Sequence, residues 1–387
     1  MTKFIILLSN IIEMISRILI ISYIVKYFNI EIYGEYSFYL IVSQFIGYVG
    51  LLGIGPLLIK EKNNEVFHQI YNLLVLLMVI IVSISMLYNL VIGTLVLFFY
   101  SLSLYRYIAT SFGVLRRYSI SRTLIYLIQL MILSSLHFNN YIFDIEMLIV
   151  CLYLPTSIIL IFEIIKFFKF KVIYKFTITE LNTFIKFNFF ANITQYGSQL
   201  SERFIIKIVV DDYLFGIYSL IRDILRAFMF LFLLPIQLTA YKKLFLYVEE
   251  KAVNKISKIE IIIFIELLIL TIILFICTYL SLEYTTISEY VPVVSSIKLN
   301  LTLLIIATLY ILVELLKVFY QYLMEITLYP LEIINSSILY ISIVLILFFS
   351  YNIQTIDEIL LLLLSSNAIV LLYLILKFRF IKNAITA

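Results

Sequence analysis

Residues 29–40 read NIEIYGEYSFYL, and a short form of the same stretch returns as FGIYS at residues 215–219. The first copy lies between two long hydrophobic segments, yet it holds two glutamates, a glycine and three tyrosines. Gly34 and Gly216, Tyr36 and Tyr218, and Ser37 and Ser219 are each 182 residues apart. Asn10 and Asn192, each followed by isoleucine, share that offset. Two landmarks in one ungapped register, at equivalent places in a helical hairpin, point to an internal duplication. Glycine permits the φ values of a tight turn, and a tyrosine at the membrane interface buries its ring while wetting its hydroxyl. The motif therefore reads as the outer turn of a hairpin with an interfacial anchor, built twice, rather than as a direct substrate contact.

Composition decides the solvent. Of 387 residues, 64% are hydrophobic and 13% charged, with a mean hydropathy of +1.11. A soluble domain is about 45–50% apolar and about 25% charged. The chain thus reads as an integral membrane protein, all-α, since its apolar runs are longer than the ~10-residue alternating strands of a barrel. The first apolar stretch contains Glu13 and Arg17 and is followed by no small-residue cleavage site, so it reads as a span, not a cleavable signal. Cys151 and Cys277 lie inside apolar runs and support neither a disulfide framework nor a metal site.

Windows of ~20 residues predict about twelve spans: 4–29, 34–59, 67–87, 90–112, 119–138, 143–167, 184–208, 213–240, 258–281, 299–324, 329–350 and 358–380. The third and fourth are divided only by MLYNL. Basic residues fill every second connection: Lys60 and Lys62; Arg116, Arg117 and Arg122; Lys166, Lys169, Lys171 and Lys175; Lys242 to Lys258; and Lys377 to Lys382 at the end. The alternate connections carry acids, among them Glu31, Asp144, Asp211, Glu283 and Asp357. The positive-inside rule then places both termini in the cytoplasm, which requires an even number of spans. Six spans separate the two motif copies, so the halves have the same topology and form a parallel repeat. The expected division is a six-helix lobe over 1–168, a basic cytoplasmic linker over 169–183 and a second six-helix lobe over 184–387.

Charges inside the spans carry the functional signal. Arg17, Arg106, Arg203, Arg222, Arg226 and Lys317 fall within spans, as do Glu13, Glu202, Asp223, Glu266 and Glu314. Each costs roughly 2.5–3.5 kcal/mol on insertion scales and should face the bundle interior or a water-filled cavity. On span seven, Asn188, Asn192, Gln195, Gln199 and Glu202 follow i, i+4, i+7, i+11 and i+14, one polar face ending beside Arg203. Span one repeats this more thinly with Asn10, Glu13 and Arg17. The polar stripes of spans one, two, seven and eight are expected to enclose one cavity. Its walls would be Arg17, Arg203, Arg222, Arg226, Asn192, Gln195 and Gln199, with Glu13, Glu202 and Asp223 as candidate proton carriers. Local pairing competes with this reading: Glu13 with Arg17 at i, i+4 and Glu314 with Lys317 at i, i+3. Arg222 and Arg226 resist it, having only Asp223 nearby in sequence, and an arginine excess suits a phosphate. Gly47 and Gly50 are expected at a close helix packing, and Pro155 and Pro235 at kinks.

Catalytic constellations are missing from the sequence. His68 reads as a residue of a basic loop and His137 as one near an outer loop. There is no phosphate-binding glycine loop and no metal spacing, so neither cofactor nor metal is expected, and the energy source is expected to be a gradient.

The stretch Ser16 to Glu61, with an arginine in span one, YGEYS and a glycine-containing helix, resembles the N-terminal hairpin of bacterial polysaccharide exporters. Ser201 to Gln237, with its FGIYS and late proline, resembles their second hairpin. The chain is thereby similar to the O-antigen and lipid-linked oligosaccharide flippases (Wzx-type) of the multidrug/oligosaccharidyl-lipid/polysaccharide (MOP) exporter superfamily. The resemblance implies two six-helix lobes around a central cationic cavity. It also implies alternating access that carries an undecaprenyl-pyrophosphate-linked oligosaccharide across the bacterial cytoplasmic membrane, with no enzymatic step. The implied partners are that lipid-linked substrate, membrane lipids and other polysaccharide-assembly proteins; no nucleic acid is expected. Rival readings are a multidrug or toxic-compound extruder of the same fold, which the arginine excess opposes, and an O-antigen polymerase, which the short outer loops oppose. A membrane scaffold is opposed by the polar stripes.

Overall fold

The computed structural model describes residues 2–53, 58, 64–138, 144–167, 178–227, 247, 250, 252–283, 301–326 and 330–386. Among them there are only helices, turns and bends. In chain order they are α1 (Thr2–Phe28), α2 (Ile30–Val49), α3 (Asn64–Tyr88), α4 (Leu90–Ser111), α5 (Leu115–Phe138), α6 (Ile145–Ile165) and α7 (Ile178–Val209). Then come α8 (residues 212–227), α9 (Val253–Glu283), α10 (Leu301–Ile326), α11 (Pro330–Ser350) and α12 (Ile356–Thr386). Eight of these are long and apolar enough to cross a membrane by length and composition.

The first hairpin turns on one residue, and not where the glycine predicted. Asn29 adopts φ 98°, a left-handed conformation that asparagine tolerates better than most side chains. Its Oδ1 accepts a hydrogen bond from the Ile32 amide at 2.9 Å, capping α2. The second hairpin repeats the cap in register, without the left-handed residue. Asp211, 182 residues after Asn29, accepts from the Leu214 amide through Oδ1 at 2.7 Å. YGEYS and FGIYS therefore lie inside α2 and α8, one turn past the caps.

Their glycines serve a crossing. A methyl on Gly34 would lie 3.1 Å from Phe215 Cδ1 and 3.2 Å from Gly216 Cα. Small residues let two backbones approach this closely. The tyrosines are not interfacial anchors either. Tyr36 and Tyr218 are both buried; Tyr36 shares a hydrogen bond of 2.8 Å with the Tyr153 hydroxyl, and Tyr218 donates to Glu202 at 2.5 Å.

The remaining boundaries follow the polar punctuation. α3 and α4 are separated by Asn89 alone, whose side chain accepts from the Ile92 amide at 3.0 Å. Asp144 caps α6 through the Met147 amide at 2.7 Å. Span two was expected to reach residue 59, but α2 ends at Val49 and a turn covers 50–53. His68 belongs to α3 rather than to a loop. α6 runs through Pro155 without a break, and the hydroxyls of Thr156 and Ser157 bond the Tyr153 carbonyl at 2.9 and 2.7 Å. Pro235 lies outside the described residues, as does most of the expected linker.

Packing repeats like the sequence. In the first half α3 packs on α4, α4 on α5 and α6, and α5 on α6. In the second, α9 packs on α10, α10 on α11 and α12, and α11 on α12. α4 is buried along most of its length, although it carries Arg106. Gly47 brings α2 against α4, where an added methyl would lie 3.2 Å from Phe99 Cβ; Gly50 would meet Ile81 Cδ1 at 2.8 Å.

The chain divides into two compact units, Met1–Ile20 with Glu35–Leu200, and Ile21–Gly34 with Ser201–Ala387. Each takes a segment that the sequence reading gave to the other lobe. Ile21–Gly34 joins the second unit, and the N-terminal part of α7, up to Leu200, joins the first.

Candidate functional site

In the first unit the polar stripe of α1 meets α5. Arg17 donates to Glu13 Oε1 through Nε at 3.1 Å and Nη2 at 2.7 Å, the local pair that its spacing predicts. Two further groups converge on the same carboxylate. The Tyr126 hydroxyl donates to Oε1 at 2.8 Å, and Arg122 forms an ion pair with Oε2. Arg122 was read as a loop residue; it is instead buried within α5. One carboxylate thus faces two guanidiniums. The Arg122 side chain is 5% exposed and that of Arg17 28%, so Arg17 carries the accessible share of the positive charge.

The second unit holds a larger network, built on α7, α8, α10 and α11. Glu202 accepts from Tyr218 at 2.5 Å, from Tyr340 at 2.5 Å and from Arg222 Nε at 3.2 Å. The two terminal nitrogens of Arg222 reach Glu314 as a fork, both at 2.6 Å. This is the bidentate geometry that arginine forms with a carboxylate. Arg203 pairs with Asp223, which also accepts from the Tyr33 hydroxyl at 2.8 Å. The expected Glu314–Lys317 pair does not form. Glu314 is held by Arg222, and Lys317 donates to Asn367 Oδ1 at 2.5 Å while lying 4.4 Å from the Tyr340 ring centroid. Arg222, read as an arginine in excess, is therefore engaged by two acids from other helices, Glu202 and Glu314. Arg226 is half-buried one turn further along α8. Glu266 on α9 is exposed rather than inward-facing.

Both nodes share one design, a glutamate on the first helix of a half clamped by a tyrosine from the fifth helix and by arginine. They are not in the repeat register. Gln195 occupies the place of Glu13, and Gln199 the place of Arg17, each 182 residues on. Glu202 stands seven residues past Gln195, about 10 Å further along the helix. The stripe that is charged on α1 is neutral on the matching part of α7.

That neutral stripe is accessible. Asn192, Gln195 and Gln199 are all half-buried. Beside them Tyr196 stacks on Tyr48 of α2, ring centroids 4.5 Å apart and planes 20° from parallel. At Gly197 an added methyl would make ordinary van der Waals contact with Phe45 Cε2 at 3.6 Å.

The sequence matches no family model, and no curated protein matches it. Solved structures do. An outward-facing multidrug resistance MATE family transporter of the MOP superfamily is similar over 100% of this chain and 96% of its own, with TM-score 0.71 and 8% identity. A MOP superfamily transporter from Pyrococcus furiosus, described as having a binding pocket of reverse polarity, is similar over 100% and 96%, with TM-score 0.67 and 8% identity. A mutant of the Vibrio cholerae MATE transporter VcmN is similar over 99% and 96%, with TM-score 0.67 and 12% identity. Identities this low speak to the fold alone. The chain is an all-helical, multi-pass membrane protein with the fold of the MATE transporters of the MOP superfamily.

Proposed function

We propose that the chain is a transporter that flips an undecaprenyl-pyrophosphate-linked oligosaccharide, an O-antigen or capsule repeat unit, across the bacterial cytoplasmic membrane by alternating access. The observation that carries this reading is the sign of the intramembrane charge. Within the predicted spans 184–208, 213–240 and 299–324, the cations Lys186, Arg203, Lys207, Arg222, Arg226 and Lys317 outnumber the carboxylates Glu202, Asp223 and Glu314. Around Glu13, Arg17 and Arg122 do the same. An interior of this sign favours an anionic passenger, and guanidinium matches phosphate geometrically. Arg17, Arg203, Arg222 and Arg226 are the proposed contacts for the pyrophosphate or acidic sugars. Glu13, Glu202 and Asp223 are the proposed proton carriers. The alternation of basic and acidic connections supports cytoplasmic termini, and other polysaccharide-assembly proteins are natural partners for such a step.

A multidrug extruder is the second reading, because two structural neighbours are described as multidrug resistance transporters. It would favour carboxylates open to a cationic drug, whereas Glu13, Glu202 and Glu314 are each held by arginine. The two readings separate in a flippase-null strain that carries its cognate repeat-unit genes. Restored surface polysaccharide, lost again in Arg17→Ala and Arg226→Ala proteins that still insert, is the expected result. Gained drug tolerance without surface glycan overturns the proposal.

A further inference from the structure

The side-chain amides of Asn192 and Gln195 make no hydrogen bond among the described residues, while the Gln195 backbone carbonyl accepts from the Ser198 hydroxyl at 2.7 Å. Both residues are half-buried and stand in the middle of α7. An amide brings two donors and two lone pairs, and leaving such groups unmet in hydrocarbon costs several kcal/mol each. In α7, a predicted span, bare amides are expected to face water or a ligand. They are also uncharged where the matching positions of α1 include Glu13, so this surface offers hydrogen bonding without a charge preference. The adjoining Tyr48 and Tyr196 present stacked, partly exposed rings. Arg17 and Tyr48 belong to the same unit.

From this juxtaposition we propose that the α2–α7 face of the first unit, comprising Tyr48, Tyr196, Asn192 and Gln195, is a saccharide-recognition surface. The inference rests on the flippase reading and deepens it by separating two tasks. A sugar hydroxyl is both donor and acceptor, as is each amide. The C–H face of a pyranose ring packs on an aromatic face, where weak C–H contacts add to apolar burial. Carboxylates at Asn192 and Gln195 would instead repel the phosphate that follows the sugar. Arg17 meets that phosphate, and the neutral face reads the first sugar ring.

The test uses the full chain in nanodiscs and two probes, undecaprenyl pyrophosphate and undecaprenyl-pyrophosphoryl N-acetylglucosamine. The wild type should bind the sugar-bearing probe more tightly. The Asn192→Ala/Gln195→Ala double variant should lose about tenfold of that preference, as expected for two hydrogen bonds, with affinity for the sugar-free probe unchanged. Tyr196→Ala should lose preference in the same way, and Tyr196→Phe should retain it, which guards against a merely misfolded variant. Equal affinity of the wild type for both probes, or an unchanged preference in the double variant, overturns the inference while leaving the flippase reading standing. Binding of neither probe, with binding of a cationic drug, overturns both.

Discussion

Gly34 and Gly216 lie against each other, so that a methyl on Gly34 would stand 3.2 Å from the Gly216 Cα. The pair is not symmetric in what it tolerates. A methyl on Gly216 would fall 2.3 Å from the Ile30 carbonyl oxygen, a backbone atom of α2. Gly216→Ala must therefore move a helix, whereas Gly34→Ala meets a side chain at 3.1 Å and a backbone at 3.2 Å. Overpacking of this kind costs about 1–3 kcal/mol or more. Thermal unfolding in detergent should show Gly216→Ala as clearly the more destabilised protein; equal melting temperatures would contradict the crossing.

Glu314→Ala removes the carboxylate that receives the fork of Arg222. A buried ion pair broken on one side costs roughly 3–5 kcal/mol, whereas replacing both partners by apolar residues is often neutral. Glu314→Ala should thus fall well below wild type in melting temperature, and Arg222→Leu/Glu314→Leu should recover most of the loss. A double variant as unstable as the single would show that the other ion pair of Arg222, with Glu202, is the essential one.

Arg17 and Arg122 share Glu13 but should separate in experiment. Arg122 is nearly inaccessible and Arg17 retains 28% exposure. Arg122→Ala leaves a cavity and removes a buried counter-charge, so the yield of folded protein should drop. Arg17→Ala should fold with little loss, since partly exposed pairs contribute roughly 0–1 kcal/mol, yet fail to restore surface polysaccharide. Normal glycan in the Arg17→Ala strain would remove Arg17 from the transport path.

Asn89 is the whole connection between α3 and α4. Its side chain satisfies the Ile92 amide at 3.0 Å. Asn89→Ala should cost about 1 kcal/mol, the usual loss for an N-cap, and Asn89→Asp should restore it. Unfolding midpoints of the three proteins check this directly.

The span count, the duplication and the α3–α4 split were legible because hydropathy, register and capping are local or additive signals. The place of the first turn was not. Glycine permits a turn and permits a close helix crossing equally, and only the partner decides; for Gly34 that partner is Gly216. Arg122 followed Arg116 and Arg117 and so read as part of a basic loop. Its burial depends on Glu13, more than a hundred residues earlier. Arg222 looked unpaired for the same reason, since its fork partner is 92 residues away in sequence. The rule for i, i+3 pairs suggested Glu314 with Lys317, but a bidentate arginine from another helix outcompetes a lysine on the same one. The α7 stripe was visible as a period, while the Tyr48–Tyr196 stack beside it was not, because two tyrosines in a chain with 31 carry no signal until they meet.

Because Ile21–Gly34 is part of the unit otherwise made from Ser201–Ala387, that unit is complete only once two distant stretches of the chain have been made. Tyr33 is translated 190 residues before Asp223, the group its hydroxyl bonds. At roughly 5–20 residues per second the first hairpin waits about 10–40 s in the bilayer with that partner unmade. Residues 178–200 stand in the reverse position, completing a unit whose other helices were translated before them. A gene cut at the central linker would yield two fragments that each lack a strip of their own core and carry a strip of the other's. Such fragments are expected to be degraded when expressed singly and rescued when expressed together.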